Sequence, residues 1–184
     1  MDRGIISGRY GKALFMYAEK HGKAHEVYGE TKFLSRSMSN YPQIKRILAS
    51  PVISVKKKQY ILEQLFTDQP ISDVFSNFLR LVLEQKREEQ LQTICFMYQE
   101  YYREEKKILL VELVTASPVG EETKEQVIRK MKNFTQEQIR LTNTINPEIL
   151  GGYMLYWDTY RWDASIVSRM RKIRNRIKES INNI

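Results

Sequence analysis

The sequence predicts an α+β protein: a six-helix antiparallel bundle followed by a small β-α-β-β-α unit. Three observations carry that expectation. Apolar residues recur at three- and four-residue spacing through the first hundred positions, as on helices with one buried face. From Ile108 onward, runs rich in β-branched, aliphatic and aromatic residues flank a single amphipathic stretch, as strands flank a helix. Between the two regimes stands the charged run Glu104-Glu105-Lys106-Lys107, which sets the expected domains at 1–105 and 106–184.

In the first segment Ile6, Tyr10, Leu14 and Tyr17 recur at helical spacing with Ala13 beside them, and Gly22 ends the run. A second helix is expected from Glu26 to Met38, with Val27, Phe33 and Leu34 facing inward. Pro42 opens a short third one with Ile44, Ile47 and Leu48, since its fixed φ suits a first helical turn. Pro51 breaks that helix, and Ser54 caps a fourth running through Tyr60, Leu62, Leu65 and Phe66. Ser72 to Gln85 makes the fifth. Glu88 to Arg103 makes the sixth through Leu91, Ile94, Cys95, Tyr98 and Tyr102. Connections this short make sequential helices antiparallel neighbours.

The second region begins with a strand over Ile108 to Thr115, broken by Ser117-Pro118. Gly120 to Phe134 reads as an amphipathic helix through Val127, Ile128, Met131 and Phe134. Ile139, Leu141, Asn143 and Ile145 alternate with Arg140, Thr142 and Thr144, the pattern of a half-buried strand. Pro147 fixes a turn, and Gly151-Gly152 permits positive φ or a close backbone approach. Tyr153 to Trp157 and Tyr160 to Trp162 form a hairpin around Asp158-Thr159, and Asp163 or Ser165 caps a last helix from about Ile166.

The totals narrow the function. A net charge of +8 favours an acidic partner without choosing among protein, lipid and nucleic acid. One cysteine excludes an internal disulfide framework. No apolar run reaches the roughly 20 residues of a membrane span, and no leader pattern opens the chain. His21 and His25 have metal-ligand spacing, but Gly22 lies between them and no third ligand is placed, so both read as solvated surface residues. Cys95 sits on an apolar stripe and reads as a small buried hydrophobe. Gly151-Gly152 lacks the following Lys-Ser/Thr of a phosphate loop, and Asp158 and Asp163 read as turn and cap residues. No catalytic, cofactor or metal constellation emerges.

Two features point to binding. On the fifth helix Phe75, Phe78, Leu79 and Val82 make one apolar stripe, while Val74, Asn77 and Leu81 lie on a neighbouring face. On the first, Phe15 and Ala18 widen the apolar surface. Helices this broadly apolar sit at a bundle centre or line a groove for an added helix, and periodicity leaves both open. The terminal helix sets Arg169, Arg171, Lys172, Arg174, Arg176 and Lys178 around an apolar line of Ile166, Met170, Ile173, Ile177 and Ile181. The simplest reading of that line is a core stripe with a solvated basic face. A nucleic-acid-binding module using this helix is the rival reading, with steeply salt-dependent binding as its signature.

Arg9-Tyr10-Gly11-Lys12-Ala13-Leu14-Phe15 resembles the opening helix motif of the delta subunit of F-type ATP synthases, the counterpart of mitochondrial OSCP. Asn77-Phe78-Leu79-Arg80-Leu81 with Arg87, Asn146-Pro147-Glu148-Ile149-Leu150-Gly151-Gly152 and Asp163-Ala164-Ser165-Ile166 are similar to further motifs of that family, in order along nearly the whole chain. Gly11 stands where the family usually has alanine, at a helix-propensity cost of about 1 kcal/mol. Asn146 replaces an aspartate, and Ser117-Pro118-Val119 departs from the usual small-small-Leu.

The resemblance implies a non-catalytic stator subunit without cofactor or nucleic acid, a monomer within its hetero-oligomer. Its bundle would grip N-terminal helices of alpha subunits, and its C-terminal part the end of the b-subunit stalk. Carried onto matching positions, Tyr10, Ala13, Leu14, Asn77 and Leu81 become the groove residues, while Phe75, Phe78 and Leu79 remain core. Arg169, Arg171 and Arg174 are expected to orient the stalk. The missing transit peptide makes the cytoplasmic face of a bacterial inner membrane the expected location.

Overall fold

A computed structural model describes residues 2–66 and 71–182, with side chains described from 4 to 176 across that range. The chain forms two compact units, Met1–Lys106 and Lys107–Ile184.

The first unit is helical. Its elements are α1 (Asp2–Lys20), α2 (Ala24–Asn40), α3 (Pro42–Ala49), α4 (Val55–Gln64), α5 (Asp73–Glu84) and α6 (Leu91–Glu105), the last preceded by a 3₁₀ turn over Glu88–Gln90. Gly22, at φ +66°, lets α1 stop: the Lys23 N–H donates to the Ala18 carbonyl at 2.9 Å. Ser54 and Ser72 cap α4 and α5, accepting from Lys57 N at 3.4 Å and Phe75 N at 3.2 Å. Leu14, Val27, Leu34, Leu62, Phe75, Leu79, Leu91 and Ile94 fill the core. Tyr98 crosses it to donate from its hydroxyl to the Ala24 carbonyl at 2.8 Å.

Gly11 is buried where α1 meets α6, and a Cβ there would lie 2.6 Å from Met97 Cβ and 2.9 Å from Tyr98 N. The helix-weakening residue therefore permits backbone-to-backbone packing. Several sequence expectations give way. Phe33 is 42% exposed against Phe66, because α2 buries the face carrying Val27, Tyr28, Leu34 and Met38 instead. Tyr60 faces solvent, and α4 ends at Gln64, before Leu65 and Phe66. His25 is exposed yet not merely solvated, since its Nδ1 lies 2.9 Å from the Tyr102 hydroxyl.

The second unit is a four-stranded sheet ordered β2-β1-β3-β4, from β1 (Ile108–Thr115), β2 (Gln138–Ile145), β3 (Tyr153–Trp157) and β4 (Tyr160–Asp163). Helix α7 (Glu121–Met131) is the crossover that makes β1 and β2 parallel, with Leu109 opposite Ile139 and Val111 opposite Leu141. Strand β3 runs antiparallel to both β1 and β4. Leu109, Val111, Leu113, Leu155 and Met131 form the buried core, with Val127, Ile139 and Leu141 packed against it. Helix α7 stops at Met131, which leaves Phe134 86% exposed rather than on the helix.

Gly152, at φ +74°, sits where a Cβ would be 2.3 Å from the Ala164 carbonyl oxygen, so hairpin and following helix meet only over a glycine. That helix, α8 (Ile166–Asn182), is capped by Ser165, whose Oγ accepts from Ser168 N at 3.2 Å. Asp163 braces the cap, accepting from Ser165 N at 3.0 Å and from the Ser165 and Ser168 hydroxyls at 2.7 Å each. The Ser165 hydroxyl above all, with the Ser165 N–H, the Ser168 hydroxyl and Arg161 adding to it, holds the Asp163 carboxyl well below the usual carboxylate range. The expected core stripe on α8 is open: Ile166, Met170 and Ile173 are 44%, 60% and 58% exposed. Ile177, Lys178 and Ile181 have side chains outside the described residues.

Candidate functional site

The five groove residues named from the sequence come together. A groove of about 540 Å³ runs between α1 and α5, walled by Arg9, Tyr10, Ala13, Leu14 and Tyr17 on one side and Asn77, Phe78, Leu81 and Gln85 on the other. Leu14 is 1% exposed and forms floor, whereas Leu81 is 45% exposed and Ala13 and Asn77 also face solvent. Tyr10 meets Phe78 edge-on with ring centroids 6.4 Å apart, which joins the two walls at the base. Phe78 is thus both core, as expected, and groove lining. Val74, set by its spacing on the face of Asn77 and Leu81, is buried at 6% exposure and does not line the groove, whose α5 wall begins at Asn77.

The α5 wall is tied down at two points. Arg80 Nη2 donates to Asn77 Oδ1 at 3.1 Å and orients that carboxamide. Helix α5 starts at Ser72, whose N–H and hydroxyl both donate to the buried Glu30 carboxylate of α2, the hydroxyl at 2.8 Å. Burial pushes Glu30 above its ordinary value, and the two Ser72 bonds pull the other way.

The second unit carries a groove that the sequence reading missed. Beside α7, over β3 and β4, about 530 Å³ is lined by Leu109, Val127, Met131, Phe134, Tyr153, Leu155, Trp157 and Trp162. Alternation along β3 puts Tyr153, Leu155 and Trp157 on one face, and Trp162 joins them because it pairs with Leu155. That alternation was the available signal. Arg169, Arg171 and Arg174 lie on α8, exposed, beside its open apolar stripe.

Little here favours bond-making chemistry. Cys95 is fully enclosed, and burial pushes its thiol up to about 12. Among the described residues no group of three or more His, Cys, Asp or Glu stands close enough to hold a metal ion, and no helix is long and apolar enough to cross a membrane. Among the described residues, each unit presents an open, largely apolar groove.

Comparison with known proteins agrees with the sequence motifs. Residues 6–177 match the family model described as ATP synthase delta (OSCP) subunit. The chain is 36% identical to ATP synthase subunit delta of Parabacteroides distasonis over 98% of its own length and 99% of that protein. It is 35% identical to the Bacteroides fragilis protein of that name over 95% and 94%. A chain in the cryo-EM structure of the Toxoplasma gondii mitochondrial ATP synthase hexamer shares the fold, with a TM-score of 0.68 at 24% identity over 93% of this chain and 96% of that one. Family match, near full-length identity and architecture converge: the chain belongs to the ATP synthase delta (OSCP) subunit family.

Proposed function

We propose that this chain is the non-catalytic stator link of a rotary F-type ATP synthase. Its helical unit grips N-terminal helices of alpha subunits in the α1/α5 groove through Tyr10, Ala13, Leu14, Asn77 and Leu81. Its second unit holds the end of the b-subunit stalk, with Arg169, Arg171 and Arg174 steering an acidic stretch of that stalk into place. The subunit acts as a monomer within the complex, peripheral to the cytoplasmic face of the inner membrane.

One observation carries the reading. Five residues from motifs more than sixty positions apart line a single open apolar groove of helix-binding dimensions. A stator must hold against torque, so the contact needs buried apolar anchors; exposed ion pairs contribute only about 0–1 kcal/mol each. Cations on α8 then serve encounter and orientation more than holding strength.

The test is a pull-down from solubilised membranes of the source organism with the tagged full-length chain. Alpha and b subunits should both be recovered. Recovery of neither, with the chain folded, would refute the assignment.

A further inference from the structure

Gly11 departs from the alanine usual in the family motif, and the structure gives that departure a consequence at the groove. Seen down α1 at 100° per residue, Gly11 points at α6, while Tyr10, Ala13 and Tyr17 lie around the side that faces α5. The same helix therefore touches α6 with one face and walls the groove with the next. At Gly11 a Cβ would meet Met97 Cβ at 2.6 Å, Tyr98 N at 2.9 Å and Met97 C at 3.1 Å. Two of these three atoms are backbone, so no rotamer change relieves the contact. The close approach is local, since a Cβ on Gly8 would meet only the Tyr101 hydroxyl, at 3.9 Å.

Helix α5 cannot follow a displaced α1. Its start is tied to α2 through Ser72 and Glu30, and its Phe75, Leu79 and Val82 are buried in the core. Any side chain at Gly11 thus moves one groove wall and leaves the other where it is.

We propose that Gly11 is a positioning residue that sets the separation of the α1 and α5 walls, and with it the size of the apolar anchors the groove accepts. The inference rests on the α1/α5 groove being the seat of an alpha-subunit helix. With α1 seated directly on α6, Tyr10 and Ala13 stand back from Leu81, and the space takes a helix presenting large aliphatic or aromatic side chains on one face. A methyl group at position 11 lifts α1 off α6 and spoils that match, although it raises helix propensity.

The experiment compares wild type, Gly11→Ala and the control Gly8→Ala as full-length chains. Each is titrated with a peptide of the alpha subunit's N-terminal helix and with a version whose large apolar anchors are cut to alanine. Wild type and Gly8→Ala should prefer the native peptide by the same ratio, and folded Gly11→Ala should lose that preference by tenfold or more. General destabilisation would weaken both peptides together and leave the ratio intact. Met97→Val thickens the contact from the α6 side and should shift the ratio in the same direction. An unchanged ratio in a folded Gly11→Ala or Met97→Val chain overturns the inference, as does failure of both variants to fold, since the contact would then serve the bundle and not the groove. If wild type binds neither peptide, it is the groove assignment that fails.

Discussion

Leu81→Asp separates a docking surface from a structural one. Leu81 is 45% exposed on a helix whose other apolar side chains are mostly enclosed. Full burial of a leucine side chain contributes about 1.5–3 kcal/mol, so covering the exposed part with a partner helix contributes about 1 kcal/mol. A carboxylate facing that apolar helix without a counter-charge costs about 2 kcal/mol more. Together this is about 3 kcal/mol, roughly a hundredfold in Kd. The free bundle should change by no more than about 0.5 kcal/mol, because the position is open to water in the unbound chain. Fluorescence anisotropy with a labelled peptide of the alpha subunit's N-terminal helix reads the first quantity, and thermal denaturation the second. Affinity within twofold of wild type in a folded variant would refute the groove; so would a loss of affinity that merely tracks a loss of stability.

Three further outcomes follow from the packing. Gly152→Ala should destabilise the second unit by more than about 3 kcal/mol, through positive φ and the clash with the Ala164 carbonyl, seen as an early thermal transition that leaves the helical unit's transition in place. Cys95, with its thiol pushed up to about 12, stays protonated and enclosed at pH 8 and should resist alkylation until denaturant is added. Glu30, raised above its ordinary value of 4.5 by burial, contributes most stability below that pH and loses it as pH rises through its folded value. Glu30→Gln should therefore flatten the decline in melting temperature over that range; a decline as steep as wild type would contradict it.

Local signals were legible in the chain. Ser54 was read as a cap and is one, because a side-chain oxygen bonding two or three residues ahead is a short-range event. The strand-rich second half was visible in its β-branched runs, but the order β2-β1-β3-β4 was not, since pairing joins residues some thirty positions apart. Apolar periodicity names a helix face without saying what covers it. Phe33, Phe134 and the Ile166-Met170-Ile173 line were thus assigned inward, yet all are open. The same gap left Val74 on one face with Asn77 and Leu81, yet it is buried. Gly11 looked like a simple loss of propensity, and the Met97–Tyr98 backbone it touches lies more than eighty residues away. The five groove residues were found through family motifs; spacing alone favoured the buried central helix.

As the proposed stator link, this chain clamps other subunits and so couples rotation to proton flow. Membrane vesicles stripped of the chain should hydrolyse ATP but build little proton gradient, measured by quenching of a pH-sensitive dye. Adding back wild type should restore the gradient, and adding Leu81→Asp at the same concentration should not. A full gradient in stripped vesicles, or equal restoration by Leu81→Asp, would contradict the account.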